Sequence, residues 1–220
     1  SVHEMLGDSG TTPAPVYDGT IYIDEVDPDT GRDEGLAPML SAVQMGLDAG
    51  YRAFKVKVGR GFKWMESRAG MRRDIEVLHA IRDLIGPDMK LLIDANNGYT
   101  PEEARQVMRE AGGCDIYWFE EPFREDMHES VALRSFIRDG GWGTLVADGE
   151  GSEARDAEFT EIVRAGGVDV VQFDMCHYTL TRWMRYMTVI AETGALTAPH
   201  NFGSHLSGFY IPQFARATRH

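Results

Sequence analysis

Strand-type and helix-type segments alternate seven times along this chain, with glycine stops between helix and strand. Parallel strands need long crossover connections, so this alternation predicts a parallel sheet that is either doubly wound or closed into a (β/α)8 TIM-like barrel. A doubly wound dinucleotide-binding fold would place G-x-G-x-x-G after its first strand. The nearest match is Gly59-Arg60-Gly61, which is too short, so the barrel is the favoured prediction.

Residues 1–14 are predicted to be a lead-in segment and 15–220 a barrel domain. At 220 residues the chain is shorter than the roughly 250 residues usual for that fold. We therefore expect the barrel to be incomplete at its C-terminus. The predicted strands cover 15–23, 51–58, 90–94, 116–120, 144–147, 168–173 and 196–198. The predicted helices cover 36–49, 63–85, 101–111, 130–139, 153–165, 179–193 and 204–218.

The chain is acidic, with a formal net charge of −13. Nucleic acid and anionic membrane surfaces are therefore excluded as main partners, because both attract basic proteins.

Cys114 and Cys176 lie in different segments and predict no disulfide framework. We find neither an apolar run of membrane-spanning length nor a basic-then-apolar leader, and we expect a cytoplasmic protein.

The segment from Ile116 to Phe123 combines a continuous apolar run with two adjacent carboxylates and a proline. The run predicts a strand buried on both faces, and Pro122 cannot continue it. Side chains alternate along a strand, so Glu120 and Glu121 are expected to point in opposite directions. We assign Glu120 to the mouth of the barrel and Glu121 to a salt bridge on the outer side.

Ionisable and amide side chains occur at the C-terminal end of successive predicted strands, which is the active-site face of a barrel. Any one of them could be a helix cap or part of a solvated face. Coincidence does not explain the whole set, which predicts a functional cleft. The set comprises Lys55 and Lys57, Asp94 and Asn96, Glu120, Asp148 and Glu150, Asp174, and His200.

Three carboxylates from neighbouring strands form an all-oxygen site that suits Mg²⁺. One lysine can help to neutralise a substrate oxygen, and the other can act as a base. An aspartate that orients a histidine supplies a second acid or base. This combination suits removal of the proton α to a carboxylate, with the enediolate held on Mg²⁺.

The chain resembles the enolase superfamily, most closely its mandelate racemase subgroup, which includes many acid-sugar dehydratases. The resemblance runs from about Tyr17 to the end of the chain. The segments that carry it are, in family order, Phe54-Lys55-Val56-Lys57, Leu92-Ile93-Asp94-Ala95-Asn96, Trp118-Phe119-Glu120-Glu121-Pro122, Gly149-Glu150, Asp174 and His200. The implied fold is a modified enolase-type barrel. The family's N-terminal α+β capping domain and the eighth strand are not found in this sequence.

The resemblance also implies a role for each site residue. Its implied Mg²⁺ ligands are Asp94, Glu120 and Glu150. Lys57 and His200 would be the acid/base catalysts, with His200 paired to Asp174. Lys55 would support the substrate carboxylate, and Asn96 would contact the substrate or the metal shell. Asp148 remains an alternative third ligand, and His177 and His205 are weaker alternatives to His200.

The leading functional hypothesis is a Mg²⁺-dependent lyase that dehydrates a sugar acid in acid-sugar catabolism. A racemase or epimerase acting through the same residues is the first alternative. The alternative from another class is a non-catalytic barrel that binds a metal or a sugar. The expected partner is a small-molecule carboxylate, and the resemblance implies a homo-oligomer.

Overall fold

The computed structural model describes residues 2–6, 13–151, 156–202 and 207–217. Its helices are α1 (Val2–Met5), α2 (Ala37–Asp48), α3 (Ser67–Ile85), α4 (Pro101–Ala111), α5 (Met127–Asp139), α6 (Asp156–Arg164), α7 (Met175–Thr193) and α8 (Ser207–Ala217). Its strands are β1 (Asp18–Ile21), β2 (Val26–Asp27), β3 (Arg32–Asp33), β4 (Ala53–Lys57), β5 (Lys90–Asp94), β6 (Ile116–Glu120), β7 (Leu145–Asp148), β8 (Val170–Val171) and β9 (Leu196–Thr197).

The chain forms two compact units. The first, here called the lysine unit, comprises Val16–Arg124 and Ala132–Leu145. The second, the histidine unit, comprises Ser1–Pro15, Glu125–Val131 and Val146–His220. Within both units the predicted alternation of strand and helix is observed.

In the lysine unit, β1, β4, β5 and β6 pair in chain order as parallel strands. Lys57 lies beside Asp94, and Asp94 lies beside Glu120 in the register. These three residues therefore form a row across the C-terminal ends of the strands. The segment between β1 and α2 contains a small antiparallel hairpin of β2 and β3.

Helix boundaries in the lysine unit follow their capping residues. Thr100 and Glu103 form a capping box at the start of α4, in which the side chain of each accepts the backbone N–H of the other. Helix α3 begins at Ser67 rather than at residue 63, because the Glu66 side chain accepts the N–H groups of Arg68 and Ala69. The residues before this cap, Arg60–Phe62, form a 3-10 turn instead.

In the histidine unit, β7, β8 and β9 pair in chain order as parallel strands. Its core is aromatic, and the ring of Phe173 stacks on Tyr178 with the ring centroids 4.0 Å apart. Helix α7 begins at Met175, four residues before the predicted start. The predicted start, Thr179, has a non-helical backbone with φ of 48°. No helix in the described parts of the chain is long and apolar enough to cross a membrane.

Candidate active site

Lys55 lies inside the lysine unit with only 5% of its surface exposed. Its Nζ is 2.5 Å from Glu120 Oε1 and 2.9 Å from Asp94 Oδ2. Burial alone would lower the pKa of this ammonium group, but the charges of Glu120 and Asp94 raise it well above its ordinary value. These neighbouring charges favour the protonated form of Lys55, which fits charge neutralisation rather than proton abstraction.

Lys57 occupies the last position of β4 and bonds to the loop that follows β5. Its Nζ is 2.5 Å from Asp94 Oδ2 and 2.6 Å from Asn96 Oδ1. Asn96 has a left-handed backbone, and its N–H donates to Asp94 Oδ1 at 3.0 Å. The predicted grouping of Lys57, Asp94 and Asn96 is thus observed.

Asp94 and Glu120 are both fully buried carboxylates. For Asp94, burial raises the pKa, but the charges of Lys55 and Lys57 outweigh it and the pKa lies below its ordinary value. Glu120 Oε2 also accepts a hydrogen bond from Trp118 Nε1 at 3.1 Å. Two carboxylates beside an amide oxygen supply hard oxygen donors, the type that Mg²⁺ prefers.

Trp118 was not identified as a functional residue from the sequence. The signal was present, because residues two apart on a strand project to the same side. The outward direction that strand alternation predicted for Glu121 is not observed, whereas its salt bridge stays a prediction. Glu121 has a left-handed backbone with φ of 40°, which ends the strand alternation. Its buried Oε2 instead accepts a hydrogen bond from Asn96 Nδ2 at 3.1 Å.

The histidine unit contains the predicted Asp174–His200 pair. His200 Nδ1 donates to Asp174 Oδ2 at 2.8 Å, and the two residues form a parallel β-bridge. The other ring nitrogen, His200 Nε2, is 3.1 Å from Glu150 Oε2. Asp174 therefore fixes the orientation of the imidazole ring, while Nε2 lies beside the carboxylate of Glu150.

Asp174 also caps helix α7. Its Oδ1 accepts the backbone N–H groups of Cys176 and His177 at 2.7 and 3.1 Å. Burial raises the pKa of Asp174, but the hydrogen bonds from His200 and from these two N–H groups outweigh it, so the pKa lies below its ordinary value. One carboxylate thus both begins a helix and orients a histidine.

We expect Asp174→Asn to lower the free energy of unfolding by about 1–2 kcal/mol at neutral pH, because it removes a charged acceptor. The folded-state pKa is lower than the unfolded value of about 3.9, so the ionised group stabilises the fold above about pH 4. This contribution is lost as the pH falls through the folded-state pKa. Urea unfolding of both proteins between about pH 7 and pH 3 measures the difference.

The matched control for this prediction is Asp139→Asn, which alters an aspartate whose side chain is 71% exposed. It should change the free energy of unfolding by less than about 0.5 kcal/mol at every pH. A deficit of Asp174→Asn that stays constant on acidification would contradict the assignment.

Asp148 and Glu150 differ in their surroundings. Asp148 Oδ1 accepts the N–H of the adjacent Gly149 at 2.6 Å, whereas Glu150 is the residue that contacts His200. Gly149 has φ of +121°, and a Cβ there would lie 3.1 Å from the ring of Phe173. A residue with a side chain is therefore disfavoured between the two acids.

The alternative histidines are less suitable than His200. His177 Nδ1 is 3.1 Å from Asp174 Oδ1, but its side chain is 83% exposed. His205 lies outside the described residues. Among the described histidines, His200 combines the aspartate partner with burial, since only 11% of its side chain is exposed.

Comparison with known proteins identifies the family. The model of the enolase C-terminal domain-like family matches residues 24–220. The chain belongs to the enolase superfamily. Within it, the similar proteins place the chain in the mandelate racemase and acid-sugar dehydratase subgroup, as the sequence motifs predicted.

Two curated relatives of this enolase-superfamily chain act on sugar acids or their lactones. It is 34% identical over 169 residues to D-galactarolactone cycloisomerase of Agrobacterium fabrum, covering 76% of the chain and 41% of the relative. It is 33% identical over 175 residues to arabinonate dehydratase of Saccharolobus solfataricus, covering 79% of the chain and 41% of the relative. The chain therefore spans about two fifths of the length of each relative.

Solved structures confirm the predicted barrel fold class. A galacturonate dehydratase variant from Geobacillus sp., complexed with Mg, matches with a TM-score of 0.87 and 29% identity. A mandelate racemase/muconate lactonizing protein from Geobacillus sp. Y412MC10, complexed with magnesium and tartrate, matches with a TM-score of 0.88 and 30% identity. Each match covers 99% of this chain and 57% of the other chain.

Proposed function

We propose that this chain provides the catalytic barrel of a Mg²⁺-dependent carbon–oxygen lyase that dehydrates a sugar acid. The observation that carries the proposal is the Asp174–His200 pair, in which His200 Nε2 lies beside Glu150. The same chain has Lys55 paired with Glu120 and Asp94, and Lys57 paired with Asp94. A similar solved structure is a galacturonate dehydratase complexed with D-galacturonate and 5-keto-4-deoxy-D-galacturonate. These two ligands of a similar protein support a sugar acid as the substrate class of this chain.

The proposed Mg²⁺ ligands are Asp94, Glu120 and Glu150. The first two are fully buried carboxylates in the lysine unit. Glu150 is favoured over Asp148 because its carboxylate lies beside the histidine that would act on the same substrate. When bound, Mg²⁺ would act as a Lewis acid that stabilises negative charge on the substrate carboxylate.

The two lysines have different proposed roles. Lys55 is buried between two carboxylates and remains charged, so it would bind and neutralise the substrate carboxylate. Lys57 is the lysine with the more exposed side chain, at 15% against 6% for Lys55. We assign removal of the α-proton to Lys57 Nζ, whose partners on Asp94 and Asn96 orient it.

His200 is the proposed general acid. Asp174 binds Nδ1–H, so the proton that His200 would donate is the one on Nε2. The α-proton would move to Lys57, and the electron pair of the C–H bond would form the new carbon–carbon double bond. The β-hydroxyl would then leave with the proton of His200 Nε2 as water, and the enol product would tautomerise to a 2-keto acid.

A racemase or epimerase is the second candidate, because it needs the same acid and base. Its support comes from relatives such as the hydrophobic dipeptide epimerase of Enterococcus faecalis, which is 29% identical over 160 residues. In that reaction His200 would return a proton to the opposite face of the α-carbon. The two functions differ only in whether the β-hydroxyl leaves.

The test is to incubate the purified protein and Mg²⁺ with a library of acid sugars in D₂O. Formation of a 2-keto acid, detected by its semicarbazone absorbance, indicates the proposed lyase. Deuterium at the α-carbon without loss of water, detected by NMR, indicates the racemase or epimerase. If no acid undergoes either reaction, the proton-abstraction proposal is contradicted and a non-catalytic binding barrel is favoured.

A further inference from the structure

A buried group of four residues in the lysine unit, here called the Arg60 cluster, has no part in the proposed chemistry. It consists of Glu25, Arg60, Asp74 and Tyr99. The first three are fully buried, and Tyr99 is 7% exposed. Glu25 follows β1, Arg60 follows β4 and Tyr99 follows β5, while Asp74 belongs to α3. The cluster therefore joins three loops at the C-terminal ends of neighbouring strands.

Asp74 accepts hydrogen bonds from two of these loops. Its Oδ1 accepts from Arg60 Nη1 at 2.6 Å. Its Oδ2 accepts from the N–H groups of Gly59 and Arg60 at 3.0 and 3.1 Å, and from the Tyr99 hydroxyl at 2.6 Å. Burial and the charge of Asp74 raise the pKa of Tyr99 well above its ordinary value, so the phenol stays protonated and donates.

Arg60 extends the cluster to the backbone of the proposed base. Its Nε donates to Glu25 Oε1 at 2.7 Å, and its Nη1 donates to the carbonyl oxygen of Lys57 at 3.4 Å. The backbone of Lys57, the proposed base, is thus bonded directly to the guanidinium group of Arg60. Because a planar guanidinium has a fixed arrangement of donors, it constrains the positions of these acceptors.

The loops after β4 and β5 also pack backbone against backbone. Val58 N–H donates to the carbonyl oxygen of Asp94 at 2.9 Å, and Gly59 N–H donates to Tyr99 Oη at 3.1 Å. A Cβ on Gly59 would lie 2.9 Å from the carbonyl oxygen of Ala95, and a Cβ on Gly98 would lie 3.2 Å from Gly59 Cα. Glycine at both positions allows this close approach.

We propose that Tyr99, Asp74 and Arg60 are positioning residues that fix the Lys57 amine relative to Asp94 and Asn96. A buried ionic group is weak evidence for stability, because desolvation offsets much of its attraction. Geometric precision is the better explanation here, since the cluster bonds to the Lys57 carbonyl oxygen and joins the loop that follows Lys57 to the loop that follows Asp94. The catalytic part of this inference rests on the proposed role of Lys57 as the base.

The test variant is Tyr99→Phe, which removes one oxygen atom and leaves the Asp74–Arg60 pair in place. The chain has four lysines, and Lys63 and Lys90 are exposed. In protein labelled with ¹⁵N at lysine Nζ, only Lys55 and Lys57 are expected to give protected signals, because their side chains are 6% and 15% exposed and both bond to Asp94. Lys57→Met identifies the Lys57 signal. Tyr51→Phe, which alters a tyrosine just before the other end of β4, is the matched control.

We expect Tyr99→Phe to shift or broaden the Lys57 Nζ signal, while Tyr51→Phe leaves it unchanged. On the substrate found in the D₂O experiment, kcat should fall about tenfold, with KM within about twofold, because a small misplacement of a catalytic group slows chemistry more than binding. Asp74→Asn should shift the signal further in the same direction.

An unchanged Lys57 signal and unchanged kcat in Tyr99→Phe would overturn the inference, even if the melting temperature fell, because the cluster would then be only structural. A wild-type protein without activity on any acid contradicts the proposed function instead. The Nζ signals still decide in that case whether the cluster positions Lys57.

Discussion

Glu120→Gln should abolish Mg²⁺ binding, whereas Glu121→Gln should retain it. Glu120 is fully buried, and its oxygens bond to Lys55 and Trp118 on either side. Glutamine keeps the size of the side chain but replaces a charged oxygen donor by a neutral amide, which attracts a divalent cation more weakly than a carboxylate. We expect at least about a 100-fold loss of affinity by isothermal titration calorimetry.

Glu121→Gln is a closely matched control, because it makes the same chemical change at the next residue of the chain. The Glu121 carboxylate accepts from the amide of Asn96 and is not a proposed ligand. Its Mg²⁺ affinity should stay within about threefold of the wild-type value. Circular dichroism checks that both variants are folded. Equal loss of affinity in the two variants, or none in Glu120→Gln, would remove Glu120 from the ligand set.

The sequence predicted best those elements whose signals are local. The predicted bounds of β5 and β6 match the structure, since each is a short apolar run with clear turn signals after it. The capping box at Thr100 and Glu103 likewise fixed the start of α4. In both cases the few residues that define the boundary are adjacent in the chain.

Side-chain direction was predicted less well where the backbone leaves ordinary conformations. Strand alternation placed Glu121 on the outer side, but its positive φ brings the carboxylate to Asn96. Thr179 similarly marks a kink within α7 rather than its beginning. Non-glycine residues rarely adopt positive φ, and no residue type in these segments signals it.

The Arg60 cluster could not be found from the sequence for a different reason. Arg60 and Asp74 are 14 positions apart, and Glu25 and Arg60 are 35 apart. A charged residue in a loop is ordinarily exposed to solvent, so the sequence pattern alone would predict an exposed Arg60. In the structure Arg60 is fully buried. Only the packing of three loops shows that these charges are buried and paired.

His200→Asn should stop the loss of water but preserve exchange of the substrate α-proton. The proposal assigns proton removal to Lys57 and protonation of the leaving hydroxyl to His200, so His200→Asn should block only the second step. General acid catalysis contributes about 10²–10⁴-fold, and we expect a loss of that size in formation of the 2-keto acid. Deuterium at the α-carbon, measured by NMR in D₂O, should continue to accumulate.

The control for this experiment is His177→Asn, which makes the same substitution at the other histidine that contacts Asp174. Its imidazole is largely exposed, so both water loss and exchange should remain close to the wild-type rates. Lys57→Met should stop both processes, because no enediolate forms without proton removal. If His200→Asn instead loses exchange while Lys57→Met retains it, the base and the acid are exchanged. That outcome would place the first proton transfer at the Asp174–His200 pair, and the lysine would then assist departure of the hydroxyl.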